Sequence, residues 1–165
     1  MNPYIRPYIV LAHTLILCTM ASSQDWELPV NGEVKNPMTF THSDFVTLPR
    51  GNVVATDSKG RRAEYQGVFL FELLLKAGAP SGDSIHGKNL MLYLQAEALD
   101  GYKVVYALPE IDTLFTDRII IVADQKNGGP LDEKERPLQI AVPGEKKHAR
   151  WIRQLKCLTV VRSKQ

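Results

Sequence analysis

The hydrophobic positions along the chain follow two periods, which predicts strands interrupted by a few short helices. The clearest helical pattern has apolar residues at i, i+3, i+4 and i+7, so that they share one face: Leu70, Leu73, Leu74 and Ala77. Gly78 follows this pattern directly and predicts a left-handed cap at the end of the helix. A second, shorter helix is predicted to begin with a capping sequence at residues 41–44 and to end at Pro49.

Alternating or continuous apolar runs predict the strands. A hairpin is expected at residues 52–57 and 61–65 around a turn at 58–60, with Gly67 ending its second strand. Further strands are predicted at residues 90–94, 102–106, 118–123, 138–142 and 158–161. Strands outnumber helices and hairpins outnumber crossovers. The predicted class is therefore α+β, with a β-rich, mainly antiparallel or mixed sheet.

The N-terminal residues have a different pattern. Arg6 precedes an apolar run of about ten residues, and small residues follow at 21–23. A membrane-spanning helix needs about 20 apolar residues, so this run is too short to be one. The pattern predicts a signal peptide over residues 1–23 and a single domain over residues 24–165; a lipoprotein signal ending at Cys18 is the alternative. We expect a secreted or periplasmic protein with no membrane contact after cleavage.

Composition excludes several kinds of site. The chain has 165 residues, of which 44% are hydrophobic and 23% charged, as in ordinary globular domains. After signal cleavage Cys157 is the single cysteine, so an internal disulfide and a cysteine-rich zinc site are excluded. We expect the side chain of Cys157, on the last strand, to point into the apolar core. No metal-ligand spacing, Gly-rich phosphate loop or nucleophile motif is present, so no catalytic or metal-binding residue is predicted.

Positive charge is concentrated near the C-terminus. Residues 144–165 contain seven Lys or Arg and one acidic residue, Glu145. An excess confined to one short segment favours a site for a small anion over a nucleic-acid surface. An exposed basic surface without a ligand is the alternative. The candidate anion or pterin-phosphate site consists of Lys146, Lys147, His148, Arg150 and Arg153.

Five motifs in order identify a family resemblance. They are Tyr65-Gln66-Gly67-Val68-Phe69-Leu70 with Leu73-Leu74, Asp100-Gly101-Tyr102, Asn127-Gly128-Gly129-Pro130-Leu131, Arg136-Pro137-Leu138-Gln139-Ile140-Ala141-Val142-Pro143-Gly144, and Arg150-Trp151-Ile152. From about Gly32 to Val161, the series resembles the molybdopterin-binding domain of the sulfite oxidase family of oxidoreductases. The resemblance implies that family's β-rich fold, which in active members holds a molybdenum–pterin cofactor. The resemblance also agrees with the predicted export, since many bacterial relatives work outside the cytoplasm.

The chain departs from active relatives at three places. Their molybdenum is ligated by a cysteine thiolate on the segment before the Tyr-x-Gly-Val motif, where this chain has no cysteine at residues 53–57. Relatives have Arg at the position of Gln139 and a His-Gly pair where this chain has Lys134-Glu135. Molybdenum–molybdopterin is therefore implied only by the resemblance, and the residues themselves predict that no cofactor is bound.

Three functions are consistent with this sequence. The first is an exported molybdopterin-binding oxidoreductase-like domain that is not a competent molybdenum redox enzyme and binds a small anion, a pterin-like compound or a protein. The second is an active molybdenum-dependent oxidoreductase with atypical ligation. The third is a structural or interaction domain of the cell envelope, with an envelope protein as its partner.

Overall fold

The computed structural model describes residues 25–57 and 59–163. The signal peptide predicted for residues 1–23 lies outside the described residues. No helix within the described part of the chain is both long and apolar enough to cross a membrane.

The described residues form ten strands and two α-helices. In chain order they are β1 Glu27–Gly32, β2 Met38–Thr41, α1 His42–Thr47, β3 Arg50–Thr56, β4 Arg62–Phe69, α2 Leu70–Lys76, β5 Leu92–Ala98, β6 Lys103–Ala107, β7 Ile121–Lys126, β8 Gly129–Pro130, β9 Gln139–Ala141 and β10 Leu155–Arg162. Short 3-10 turns at Gly82–Ser84, Gly87–Met91, Leu108–Glu110 and His148–Arg150 connect them. The α+β class predicted from the sequence is confirmed.

The strands form two sheets rather than the single sheet that the hydrophobic pattern predicts. The first sheet has the order β2-β1-β10-β5-β6, and its β1–β10 pair is parallel while the other pairs are antiparallel. The second sheet has the order β3-β4-β7-β8, and β9 also pairs with β7. All pairs of the second sheet are antiparallel. The split arises because β10 returns to pair with β1 and β5 rather than with the second sheet.

One apolar core contains buried residues from both sheets. In β5, every second residue from Leu92 to Ala98 is buried, as expected of a strand with one face on a core. Three buried side chains of α2 also pack into this core, at Leu70, Leu73 and Leu74. The helical pattern read from the sequence is therefore confirmed.

Both helix ends that the sequence predicted are present. The Thr41 hydroxyl accepts the Asp44 backbone N–H at 3.2 Å, and the Asp44 carboxylate accepts the Thr41 N–H at 3.0 Å. Hydrogen bonds from Thr41 lower the pKa of Asp44. At the end of α2, Gly78 has a φ of +73°, so it adopts the predicted left-handed conformation.

Two strand predictions are wrong. Gly67 does not end the hairpin strand, because β4 continues to Phe69 through a bulge between Gln66 and Gly67. Residues 118–120 do not belong to β7, which begins at Ile121, and Ile119 is exposed. In both places the strand boundary depends on the neighbouring strand rather than on the local sequence.

Cys157 does not point into the core. A bulge between Leu155 and Cys157 places the buried Leu155 and Leu158 on the inner face and leaves Cys157 half-buried on the outer face. Partial burial, and then the neighbouring Glu97, raise the pKa of its thiol.

Candidate functional site

Two adjoining clefts share Lys134 and Arg153. The first, here called the aromatic cleft, has a volume of ≈ 380 Å³ and is lined by Ala98, Asp100, Tyr102, Lys134, His148, Ala149, Trp151, Arg153 and Gln154. The second, here called the charged cleft, has a volume of ≈ 290 Å³ and is lined by Asp57, Lys59, Arg61, Lys126, Asp132, Glu133, Lys134, Glu135 and Arg153. The volume of the aromatic cleft lies within the range of about 300–1,000 Å³ that is typical of small-molecule sites.

Trp151 fixes the wall of the aromatic cleft. Its indole N–H donates to the carbonyl of Val142 at 3.1 Å, and its ring meets those of His148 and Tyr65 edge-on, at centroid distances of 4.5 and 5.6 Å. The Tyr102 hydroxyl donates to the carbonyl of Ala149 at 2.9 Å. These contacts hold the turn at His148–Arg150 in place, so the cleft is pre-formed.

His148 also connects the cleft to the second sheet. Its Nε2 lies 2.6 Å from the carbonyl oxygen of Thr56, the last residue of β3. A carbonyl can only accept, so Nε2 carries the proton in this contact.

A buried ion pair forms part of the charged cleft. The Lys126 ammonium donates to Glu135 at 3.1 and 3.2 Å and to Asp132 at 2.9 Å, and it lies 5.5 Å from the centre of the Tyr65 ring. Burial opposes the charge on Lys126, but the hydrogen bonds to Asp132 and Glu135 outweigh it and raise its pKa. Lys126 and Glu135 are both almost fully buried, so each depends on the other for charge compensation.

Asp57 closes the β3–β4 hairpin beside this cleft. Its carboxylate accepts the backbone N–H groups of Lys59 and Arg61, each at 2.9 Å, and the Arg61 guanidinium at 2.8 and 3.0 Å. Burial opposes ionisation, but these hydrogen bonds outweigh it and lower the pKa of Asp57 to about 2. Asp57 and Arg61 therefore neutralise each other within the cleft wall.

The structure divides the basic residues singled out by the sequence. His148 and Arg153 line the aromatic cleft, whereas Lys146 and Lys147 are exposed and line neither cleft. Lys134 is the third basic residue of the aromatic cleft, and the charge count near the C-terminus could not reveal it. The sequence did offer one signal for Lys134, because Lys134-Glu135 stands where active relatives have a His-Gly pair.

Arg150 is committed to internal ion pairs. It donates to Glu110 at 2.9 Å and, through its Nε, to Glu145 at 2.9 Å, and its guanidinium lies 4.8 Å from the centre of the Tyr106 ring. Burial opposes its charge, but the hydrogen bonds to both carboxylates outweigh it and raise the pKa of Arg150 further. The Tyr106 hydroxyl donates to the Arg150 carbonyl, and burial raises the pKa of Tyr106.

The family resemblance implies a thiolate ligand for molybdenum on β3, and that strand carries no thiol. Among residues 53–56 of β3, Val53 and Ala55 are buried and the other two are exposed, and none is a thiol. Cys157, the single cysteine of the described residues, lies in the first sheet, whereas β3 belongs to the second.

Two further positions differ from those that the resemblance implies for active relatives. Gln139 is buried, and its side-chain oxygen has no hydrogen-bond partner among the described residues. An arginine at this position would present donors alone to an anion, whereas the amide presents donors and an acceptor, and the acceptor is unsatisfied here. Glu135, at the position that the resemblance gives to the glycine of the His-Gly pair, is buried and paired with Lys126. The described residues also contain no group of three or more His, Cys, Asp or Glu side chains arranged to hold a metal ion.

The chain was compared with protein-family models, curated proteins and solved structures. The family model described as oxidoreductase molybdopterin binding domain matches residues 17–165. No curated protein matches the chain significantly. The sulfane dehydrogenase SoxCD from Paracoccus pantotrophus is a similar solved structure, with a TM-score of 0.66 and 24% sequence identity. The match covers 84% of this chain but 39% of that one, so the likeness shows a shared fold within a longer protein. The chain thus belongs to the oxidoreductase molybdopterin-binding domain family.

Proposed function

We propose that this family member is an exported binding module for a small anion and not a competent molybdenum redox enzyme. The observation that carries the proposal is the grouping of Lys134, His148 and Arg153 around the aromatic cleft. The ligand class is an oxyanion such as phosphate or sulfate, either free or as the phosphate group of a pterin-like compound.

The charges of the aromatic cleft support anion binding. Within the aromatic cleft, two basic side chains and one imidazole accompany one acidic residue, Asp100, whose carboxylate accepts the backbone N–H of Tyr102 at 2.9 Å. Lys134 and Arg153 also line the charged cleft, where the acidic residues are Asp57, Asp132, Glu133 and Glu135. Arg presents a planar fork of donors suited to phosphate, and Lys adds a point charge. The aromatic walls at Tyr102 and Trp151 provide an apolar surface beside these donors.

The absence of a thiolate on β3 supports the second half of the proposal. Molybdenum in this family is ligated by a cysteine thiolate, and no oxygen or nitrogen ligand has the same soft character. Thr56 ends this strand and Asp57 follows it. The Thr56 carbonyl is hydrogen-bonded to His148, and the Asp57 carboxylate is hydrogen-bonded to Arg61. We therefore assign no redox step to the domain.

Ligand-dependent stabilisation tests the anion site. A ligand that binds only the native state raises its melting temperature. We expect phosphate at about 10 mM to raise the Tm of the wild type more than chloride does at equal ionic strength. The double variant Lys134→Ala/Arg153→Ala should lose this increment.

The matched control is Lys146→Ala/Lys147→Ala, which removes the same charge from residues outside both clefts. We expect it to keep the phosphate increment. Phosphate and sulfate also strengthen apolar burial in general, so the informative quantity is the difference between the two double variants. An equal response in both would show that the aromatic cleft holds no specific anion.

A further inference from the structure

The strand β3 forms one edge of the second sheet. Among the described strands it pairs with β4 alone, and this pairing runs without a bulge from Arg50 opposite Val68 to Thr56 opposite Arg62. Its seven residues therefore present a straight, regular edge on the side away from β4.

The outward backbone groups of this edge can be identified. Val54 lies opposite Glu64, and the N–H and C=O of Glu64 both bond to Asn127 on the other side, at 2.9 and 2.8 Å. In an antiparallel pair the bonding direction alternates, so the N–H and C=O of Asn52 and Val54 point outward from the sheet. No described residue bonds to these groups. The Thr56 carbonyl, next in this series, is occupied by His148.

The edges of the first sheet are protected, whereas β3 is not. On β6, the Val105 carbonyl accepts Arg150 at 3.4 Å and the Ala107 N–H donates to Glu110 at 2.8 Å. The opposite edge, β2, is only four residues long. The strand β3 contains no Pro or Lys. Proteins usually protect long edges because such edges pair with other strands.

The single charge of β3 does not protect it. Arg50 is held by Asp124 at 2.5 and 3.2 Å, across the sheet and away from the edge. Four residues further along the strand, Val54 is 48% exposed although it is an apolar β-branched residue. A β-branched, nearly uncharged edge strand is well suited to backbone pairing with a further strand.

We propose that two copies of this chain pair through antiparallel β3 strands, with a twofold axis at Asn52, so that the second sheet continues from one copy into the other. In this register Arg50 faces Val54 of the second copy, and each Asn52 faces its counterpart. No like charges oppose each other, and two amide side chains can both donate and accept. Thr56 lies beyond the paired residues, so its bond to His148 is kept.

The inner face of the edge also fits this arrangement. The ring of the half-buried Phe69 lies over Gly51, where a Cβ would come within 2.1 Å of it. In the proposed register Gly51 faces Val53 of the second copy, whose side chain extends the apolar surface beside this ring. The twofold symmetry makes the contact self-limiting, because each copy has one such edge.

Sedimentation of the purified chain over a range of concentrations tests the dimer. We expect the wild type to form dimers reversibly, and Val54→Lys to raise the dissociation constant about tenfold or more, because a lysine on an edge strand opposes pairing with a further strand. The matched control is Val105→Lys, a similarly exposed valine on the protected edge at 51% exposure, which should dimerise as the wild type does. Circular dichroism and Tm confirm that each variant is folded.

Cysteine cross-linking tests the register. In a Cys18→Ser/Cys157→Ser background, Asn52→Cys should be captured as a covalent dimer by a short bifunctional maleimide, since residues opposite each other across the axis are about 5.5 Å apart. Val105→Cys in the same background should not. A wild type that remains monomeric at about 100 μM, or equal cross-linking at the two positions, would overturn the proposal.

Discussion

At the scale of single residues, the charged cleft is held by side chains that neutralise each other. Arg61 and the backbone N–H groups bind Asp57, and Lys126 binds Glu135 and Asp132. Local pairs such as Asp57 and Arg61 are four residues apart, so their contact could be expected from the sequence of the hairpin. The Lys126–Glu135 pair could not, because it depends on the loop that brings residues 132–135 back over β7.

The lowered pKa of Asp57 predicts an acid-dependent contribution to stability. A depressed pKa stabilises the folded state fully above the ordinary value of 3.8, and the contribution is lost as the pH falls through about 2. We expect Asp57→Asn to lower the free energy of unfolding by about 1–2 kcal/mol at neutral pH. Urea unfolding from neutral to acid pH should show this difference shrinking below about pH 4. A difference that is constant across the range would contradict the assignment.

The buried pair predicts non-additive substitutions. Lys126→Met should lower the free energy of unfolding by about 3 kcal/mol, because it leaves the Glu135 carboxylate buried and uncompensated. The double variant Lys126→Met/Glu135→Gln should recover most of this loss, since neither charge remains. Chemical denaturation of the two single variants and the double variant measures the coupling. Strictly additive effects would show that the two side chains do not depend on each other.

At the scale of elements, the helices were predictable and several strand boundaries were not. The helices α1 and α2 have local caps at Thr41 and Gly78, and the face of α2 repeats with a helical period. The strand β4 instead continues past Gly67, because the β7 backbone passes close to it at that point. A contact of this kind involves residues far apart in the chain, so it leaves no local pattern.

Gly67→Ala should disrupt the second sheet. A Cβ at this position would lie 2.0 Å from the Val122 carbonyl oxygen, and the contact is with backbone that a rotamer change cannot move. We expect the free energy of unfolding to fall by about 3 kcal/mol or more. Gly129→Ala is the matched control, because its Cβ would meet its nearest atom at 3.9 Å, and it should cost less than about 1 kcal/mol. Equal Tm values for the two variants would be inconsistent with the close β4–β7 approach.

At the scale of the whole molecule, the motifs predicted the family and fold better than they predicted the site. The basic segment near the C-terminus was visible in the sequence, and two of its members, His148 and Arg153, do meet in one cleft. The ion pair between Arg150 and Glu110, which are forty residues apart in the chain, was not visible in the sequence. Nor was the approach of Lys134, because it depends on how residues 131–138 fold back against the final turn.

We propose above that this family fold is used here without molybdenum. The most direct test is elemental analysis, with pterin extraction, of the full chain purified from a host that makes the cofactor. A cysteine-containing member of the family, produced in the same host, is the positive control. Because β3 offers no thiolate, the account predicts less than about a tenth of an equivalent of molybdenum and no released pterin. Stoichiometric molybdenum together with extractable pterin would contradict it.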